Sequence, residues 1–345
     1  FIFLLSALLL LLRKPVSAAD TTYYINNQAG SNCSNAGAGT SPSAPWCDFT
    51  NVNGMTFGGG DKILLARGAT WNQQMTINGS GTSGNWAEIG AYGSGDRPKI
   101  IRNMVAGDRG IRMNNPSYWK VSDLEIGYAG AGILVWYDTK MHEGLHFSNI
   151  YVHHNVGYVL DTTNPDKIFF SAGIVFTGSF ASMAPTEYAV RNVVMDRIEG
   201  AHNQDSISFD WQNGNSAGLG GVEQVVQNVV LKNLNLHDDD GAGVSPGCSD
   251  SLRLVNMSNV TVMNSKLNNE ASCHAPGGTA AVFFGRLKNV NFVNSMVTNT
   301  PYTNSHDMTA FDYEFRNEQV NVRNSYIAGN AGPGLEFLDI NCGLA

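Results

Sequence analysis

Three consecutive aspartates, Asp238, Asp239 and Asp240, follow His237 and precede Gly241 in a chain of which only 14% is charged. Crowded like charges raise the pKa of one member, so one acid keeps its proton near neutral pH while its neighbour is ionised. That arrangement suits cleavage of a glycosidic bond. One carboxyl protonates the leaving oxygen, and the other activates water or attacks the sugar. The same oxygens suit a hard cation such as Ca2+. A second group of acids lies on short apolar stretches: Asp210 in Ser-Phe-Asp-Trp, Asp312 and Glu314 in Ala-Phe-Asp-Tyr-Glu-Phe, and Glu336 in Leu-Glu-Phe-Leu. Here acids alternate with aromatics, and Trp211 and Tyr313 are the rings expected to meet a sugar. His306, beside Asp307, adds an acid–base partner. The plain alternative is a solvated acidic turn and an ordinary polar face.

Something periodic has to position these acids. The segments beginning at Asn149, Asn192, Asn228, Asn259, Asn289 and Gln319 match one another, each followed by Val or Ile. The last three steps are 31, 30 and 30 residues. Five residues beyond, Asn233, Asn264, Asn294 and Asn324 form a column, with Leu236, Leu267, Val297 and Ile327 three residues further on. Ile207-Ser-Phe209, Val282-Phe-Phe284, Phe311-Asp-Tyr313 and Leu335-Glu-Phe337 close most coils. Alternation at period two means strands with one face in a core. A coil of about 30 residues cannot bury its own apolar face, but stacked coils share a continuous core. The fold class is therefore all-β, a right-handed parallel β-helix. The asparagine column is expected to be scaffold, its amides bonding along the stack.

Aligned on this repeat, His202, Asp238, Asn269 and Asn299 share one rung position, and Asn203, Asp239, Glu270 and Thr300 share the next. Asp239 and Glu270 then sit one coil apart, about 5 Å, the spacing of a retaining carboxylate pair. The alignment sets Asp312 against Glu336, and Asp210 in one column with Glu314, two coils away. The candidate catalytic residues are Asp238, Asp239, Asp240, Asp210, Asp312 and Glu314. The candidate substrate-binding residues are His202, His237, Glu270, Trp211, Tyr313 and His306. No C-x-x-C, Ser-His-Asp order, phosphate loop or zinc signature occurs, and no residue is assigned to a metal.

The opening Tyr23-Tyr-Ile-Asn-Asn, the later Pro45-Trp46, and Gly59-Gly-Asp-Lys-Ile-Leu-Leu-Ala-Arg67-Gly68 resemble the start of many pectate-lyase-like β-helix proteins. Asn321 to Phe337 resembles a generic coil of that superfamily. The resemblance implies an N-terminal cap over residues 20–60, a β-helix over 61–345 that continues past the end of the sequence, and a polysaccharide substrate in a groove along the stack. Polygalacturonases of that superfamily carry Gly-His-Gly and Arg-Ile-Lys motifs, which do not occur here. The lyases use Ca2+-binding acids with an Arg base, or a Lys–Arg pair. Lys232, Arg253, Arg286 and Lys288 lie in or beside the repeat strands without forming such a motif. The expected activity is carboxylate acid–base hydrolysis of a polysaccharide. The alternatives are β-elimination by a lyase, with Ca2+, and non-catalytic glycan or surface binding.

A formal net charge of −8 argues against nucleic acid as a partner. The apolar run Phe1–Leu12, then Arg13-Lys14-Pro15 and small residues to Ala19, reads as a signal peptide over 1–19. The mature chain is then secreted, monomeric and free of the membrane. Among the cysteines, Cys33–Cys47 is a plausible disulfide, Cys248–Cys273 would bridge neighbouring coils, and Cys342 is left over. Asn32, Asn78, Asn256 and Asn259 head glycosylation sequons.

Overall fold

The computed structural model describes residues 20–105, 107–156, 172–180, 182–211, 223–241, 250–275 and 277–338. The signal-peptide reading, Cys248 and Cys342 fall outside them. Apart from one short helix, Thr50–Asn53, the described elements are strands, and all pair in parallel in two sheets of 17 and nine strands. Each regular coil gives two strands to the larger sheet and one to the smaller. Val226–Lys232, Asn235–His237 and Leu252–Val255 make one coil, and Met257–Met263, Lys266–Asn268 and Thr279–Gly285 make the next. Successive coils pair in register, as in Leu236↔Leu267↔Val297↔Ile327. The wound stack is the expected right-handed parallel β-helix, with its main apolar core running from Ile25 to Tyr313 and a small second cluster at Ala131, Leu134, Ala172 and Val175. Among the described residues no helix is long and apolar enough to cross a membrane.

The strand Thr22–Ile25 already pairs with Lys62–Ala66, so the N-terminal segment begins inside the stack. Trp46, Phe49, Val52 and Phe57 join the same apolar core. The Cys33–Cys47 disulfide forms. Cys273 is also disulfide-bonded.

Both asparagine columns sit at left-handed bends, Asn192, Asn228, Asn259 and Asn289 with φ of 54–62° and Asn233, Asn264, Asn294 and Asn324 with φ of 48–54°. Asparagine tolerates this region because its short amide bonds locally. The amide ladder, however, runs through the first column: Asn228 donates to Asn192, Asn259 to Asn228 and Asn289 to Asn259, at 2.8–3.2 Å. The column predicted to carry it supplies the bends, and Ser265 and Ser295 beside it bond from coil to coil instead. Asn256 is fully buried, which removes it as a glycosylation acceptor.

The register corrects one alignment. The strand Leu252–Val255 also closes a coil, between Asp205–Phe209 and Thr279–Gly285. Asp210 and Glu314 do share a column, but they are three strands apart, roughly 14 Å. That is too far for a carboxylate pair. Asp312 lies against Glu336 as expected.

Candidate active site

The three aspartates of the turn point three ways. Asp238 has φ +59° and accepts hydrogen bonds from Asn269 Nδ2 (2.6 Å) and His237 Nδ1 (2.9 Å). Burial pulls its pKa upward, but those bonds outweigh it and hold the carboxyl below its ordinary value. Asp240 Oδ2 lies 3.2 Å from His202 Nδ1. Asp239 turns inward and has no exposed surface. Divergence removes the turn as a three-carboxylate cage. Among the described residues no group of three or more His, Cys, Asp or Glu side chains is placed to hold a metal ion.

Asp239 and Glu270 are neighbours, as the alignment requires, but inside the coil. Both are fully buried. Ser251 Oγ lies 2.7 Å from Asp239 Oδ2 and is also hydrogen-bonded to Glu270 Oε2. Asp239 Oδ1 accepts the Asn203 backbone N–H at 2.9 Å. Burial raises the Asp239 carboxyl to about 6, with Ser206, Ser251 and Asn203 opposing. Burial and then the Asp239 charge push Glu270 well above its ordinary value. A sealed pair is no place for a polysaccharide, which corrects the retaining pair expected there.

The other acids gather on the outer face of the nine-stranded sheet. Its inward positions carry Ile207, Phe209, Leu252, Leu254, Phe311 and Tyr313. Tyr313 packs on Phe284 and Phe337, and fully buried Trp211 stacks with Tyr137. These two rings are core residues, not sugar platforms. The intervening side chains face out, in the column Ser208, Arg253, Phe283, Asp312, Glu336. Asp205, three residues before Ser208, also faces out because the backbone bulges: Ser206 N and Ile207 N both donate to Ser251 O, at 2.9 and 3.0 Å.

Arg253, only 6% exposed, stands 3.3 Å from Asp250 Oδ2, 3.9 Å from Asp205 Oδ2 and 4.4 Å over the Phe283 ring. Burial works against its charge, but Asp250, Asp205, Asp210 and Glu314 outweigh that and raise its pKa. Asp205 is fully buried. Burial drives its carboxyl well above the ordinary value, Arg253 opposes, and Asp250, Asp210 and Asp239 add to the rise. Asp312 is 4% exposed, and its Oδ1 has no hydrogen-bond partner among the described residues. Burial first, then Asp250, Glu314, Asp307 and Glu336, push it up to about 8. Glu314, half-buried, is raised by burial and by Asp250, with Arg253 drawing it back. His306 is exposed in the preceding loop.

Of the predicted residues, the sheet thus brings Asp210, Asp312 and Glu314 onto one face. Asp205, Asp250 and Arg253 join them unforeseen. Their signal was legible: Asp205-Ser-Ile-Ser-Phe and Asp250-Ser-Leu-Arg-Leu are the same five-residue pattern on adjacent coils.

No family model matches the chain. Over 100 residues, 27% of the chain, it is 37% identical to a lacto-N-biosidase of Bifidobacterium longum subsp. longum, and the match covers 6% of that protein. A structure of a GH136 lacto-N-biosidase from Eubacterium ramulus superposes with a TM-score of 0.64 at 18% identity, over 91% of this chain and 57% of that one. A second structure of the same enzyme gives 0.52 at 14%, over 92% and 68%. The chain spans a small part of the first relative and little more than half of the second. These likenesses agree with the fold reached above, a right-handed parallel β-helix.

Proposed function

We propose that this chain is a carbohydrate-active hydrolase that cleaves a glycosidic bond on the outer face of the nine-stranded sheet. Asp312 is the proton donor, and Glu314 is the carboxylate that activates water or attacks the sugar. Asp312 carries the reading: nearly buried, with one oxygen unpaired among the described residues and a pKa of about 8, it holds its proton at neutral pH. Glu314 stands two residues along the same face of the strand; burial and Asp250 raise its pKa, and Arg253 draws it back toward the ionised form. Elimination is less favoured, because the buried cation of the cluster, Arg253, is held charged by four acids and is a poor base. The likeness to lacto-N-biosidases in fold and, over 100 residues, in sequence agrees with a glycan substrate. The Cys33–Cys47 disulfide agrees with secretion.

A panel of oligo- and polysaccharides, read for new reducing ends and for ultraviolet-absorbing unsaturated products, tests this. Hydrolysis without unsaturated product is expected, with Asp312→Asn lowering kcat by about 10²–10⁴-fold while glycan binding persists. Unsaturated product would replace hydrolysis by elimination. Binding without cleavage would make the chain a glycan-binding module.

A further inference from the structure

Three columns of the stack change character together. On the outer face of the nine-stranded sheet, Ala131 and Ala172 give way to Asp205 and Asp250. One residue further along each strand, facing inward, Gly132 and Gly173 give way to Ser206 and Ser251. Across the interior, the rung held by Asn155 and Asn203 passes to Asp239 and Glu270. Each rung side chain reaches back one coil: Asn203 Oδ1 accepts the Asn155 N–H at 3.1 Å, and Asp239 Oδ1 accepts the Asn203 N–H. The two acids therefore arrive in register with the two serines.

Asparagine alone would continue that ladder, so the ladder gives no reason to bury two acids. The reason lies in the second atom of each head group. Asn203 Oδ1 already accepts both the N–H and the Nδ2–H of Asn155, so its amide meets Ser206 only as a donor, Nδ2 to Oγ at 3.3 Å, and takes no serine proton. A carboxyl has a second acceptor. Asp239 takes the Ser206 hydroxyl, and the single Ser251 hydroxyl bridges the two acids, donating to Asp239 Oδ2 while its oxygen accepts from the protonated Glu270 carboxyl. Ser206 and Ser251 meet at the bulge that turns Asp205 outward, and each directly follows an acid that flanks Arg253.

We infer that the interior pair Asp239–Glu270 positions the outer-face site: through Ser206 and Ser251 it fixes the bulged backbone that holds Asp205 and Asp250 on either side of Arg253. This rests on reading the outer face as reactive. Asp239 and Glu270 are positioning residues, since neither touches the outer surface. The groups facing Asp205 are Arg253, Asp250, Asp210 and, from inside, Asp239.

The test is a ¹³C-carboxyl NMR titration of the full chain labelled at aspartate, with Asp205 assigned through Asp205→Asn. In Asp239→Asn, which places in this rung the residue its neighbours use, Asp205 loses a facing charge and its midpoint falls by about one pH unit or more. In Ser206→Ala/Ser251→Ala, which deletes the anchors without replacing a charged residue, the Asp205 midpoint shifts by at least about half a unit as the bulge relaxes and as Asp239 loses the serine hydrogen bonds that favour its ionised form. An Asp205 midpoint equal to wild type in the folded serine variant overturns the inference, whether or not Asp239→Asn folds. No substrate enters the measurement, so a failure to cleave any glycan would sink the hydrolase reading without deciding this one. With an active enzyme, the pH–rate profile of the serine variant should shift while KM holds.

Discussion

Asp239–Glu270 and Asp312–Glu314 are two acid pairs drawn from nearby coils, and they lie on opposite sides of the same wall. The inner pair is sealed and hydrogen-bonded, and it shares a serine hydroxyl. The outer pair is crowded by other acids, keeps one oxygen of Asp312 unpaired among the described residues, and is in part exposed at Glu314. Both pairs have raised pKa values, so perturbation alone does not separate a scaffold acid from a reactive one. Nor does an unpaired oxygen, since Glu270 Oε1 lacks a partner among the described residues just as Asp312 Oδ1 does. What separates them is access: the inner acids are sealed and tied to the fold by Ser251 and Asn203, whereas the outer pair reaches the surface at Glu314.

The largest effect expected from breaking this contrast is at Arg253. Arg253→Met leaves Asp205, Asp250 and their neighbours buried without a counter-charge, and should lower stability at pH 8 by about 3–5 kcal/mol. The penalty should shrink toward pH 4, where protonated acids need no cation. Denaturant midpoints at the two pH values check it, and unchanged stability at pH 8 would mean the outer acids are neutral without help. A smaller effect separates the two pairs by pH. Each raised acid contributes stability that is present below its unfolded pKa and lost as pH rises through the folded value. For Asp312 that window runs from 3.8 to about 8, and for Asp239 from 3.8 to about 6. Relative to wild type, Asp312→Asn should therefore gain about 1–3 kcal/mol between pH 5 and pH 8, with the gain still growing above pH 6. The corresponding gain in Asp239→Asn should level off near pH 6. Identical pH profiles for the two variants would dissolve the distinction.

The β-helix was legible because its determinants repeat: Asn-Val steps, bends and closing strands recur every 30 residues or so. Rung partners were legible for the same reason, including Asp239 beside Glu270 and Asp312 beside Glu336. Side-chain direction was harder to read. Strict alternation would turn Asp205 inward with Ile207 and Phe209, and only the bulge at Ser206 reverses it. Alternation did contain the inward direction of Tyr313, which the proximity of acids had overridden. Leu252–Val255 was not among the closing strands read from the repeat, so Arg253, named beside the repeat strands, was given no place in the site.

The smallest expected effect belongs to the scaffold, where the contrast with the acid pairs is sharpest. Asn259 donates to Asn228, accepts from Asn289 and sits at φ +54° on the exposed side of its bend. Asn259→Ala keeps a Cβ in the left-handed region without the amide that lets asparagine tolerate it, about 1 kcal/mol, and removes amide bonds that are exposed and so contribute about 0.5–1 kcal/mol. Asn259→Gly keeps the bend and loses only the amide, so it should fall between wild type and Ala. Activity should be untouched in both, because the larger sheet does not carry the reactive face. Thermal denaturation of the two variants separates bend from ladder: if Gly is as damaging as Ala, the amide column dominates, and if Gly matches wild type, the column serves only to turn the chain.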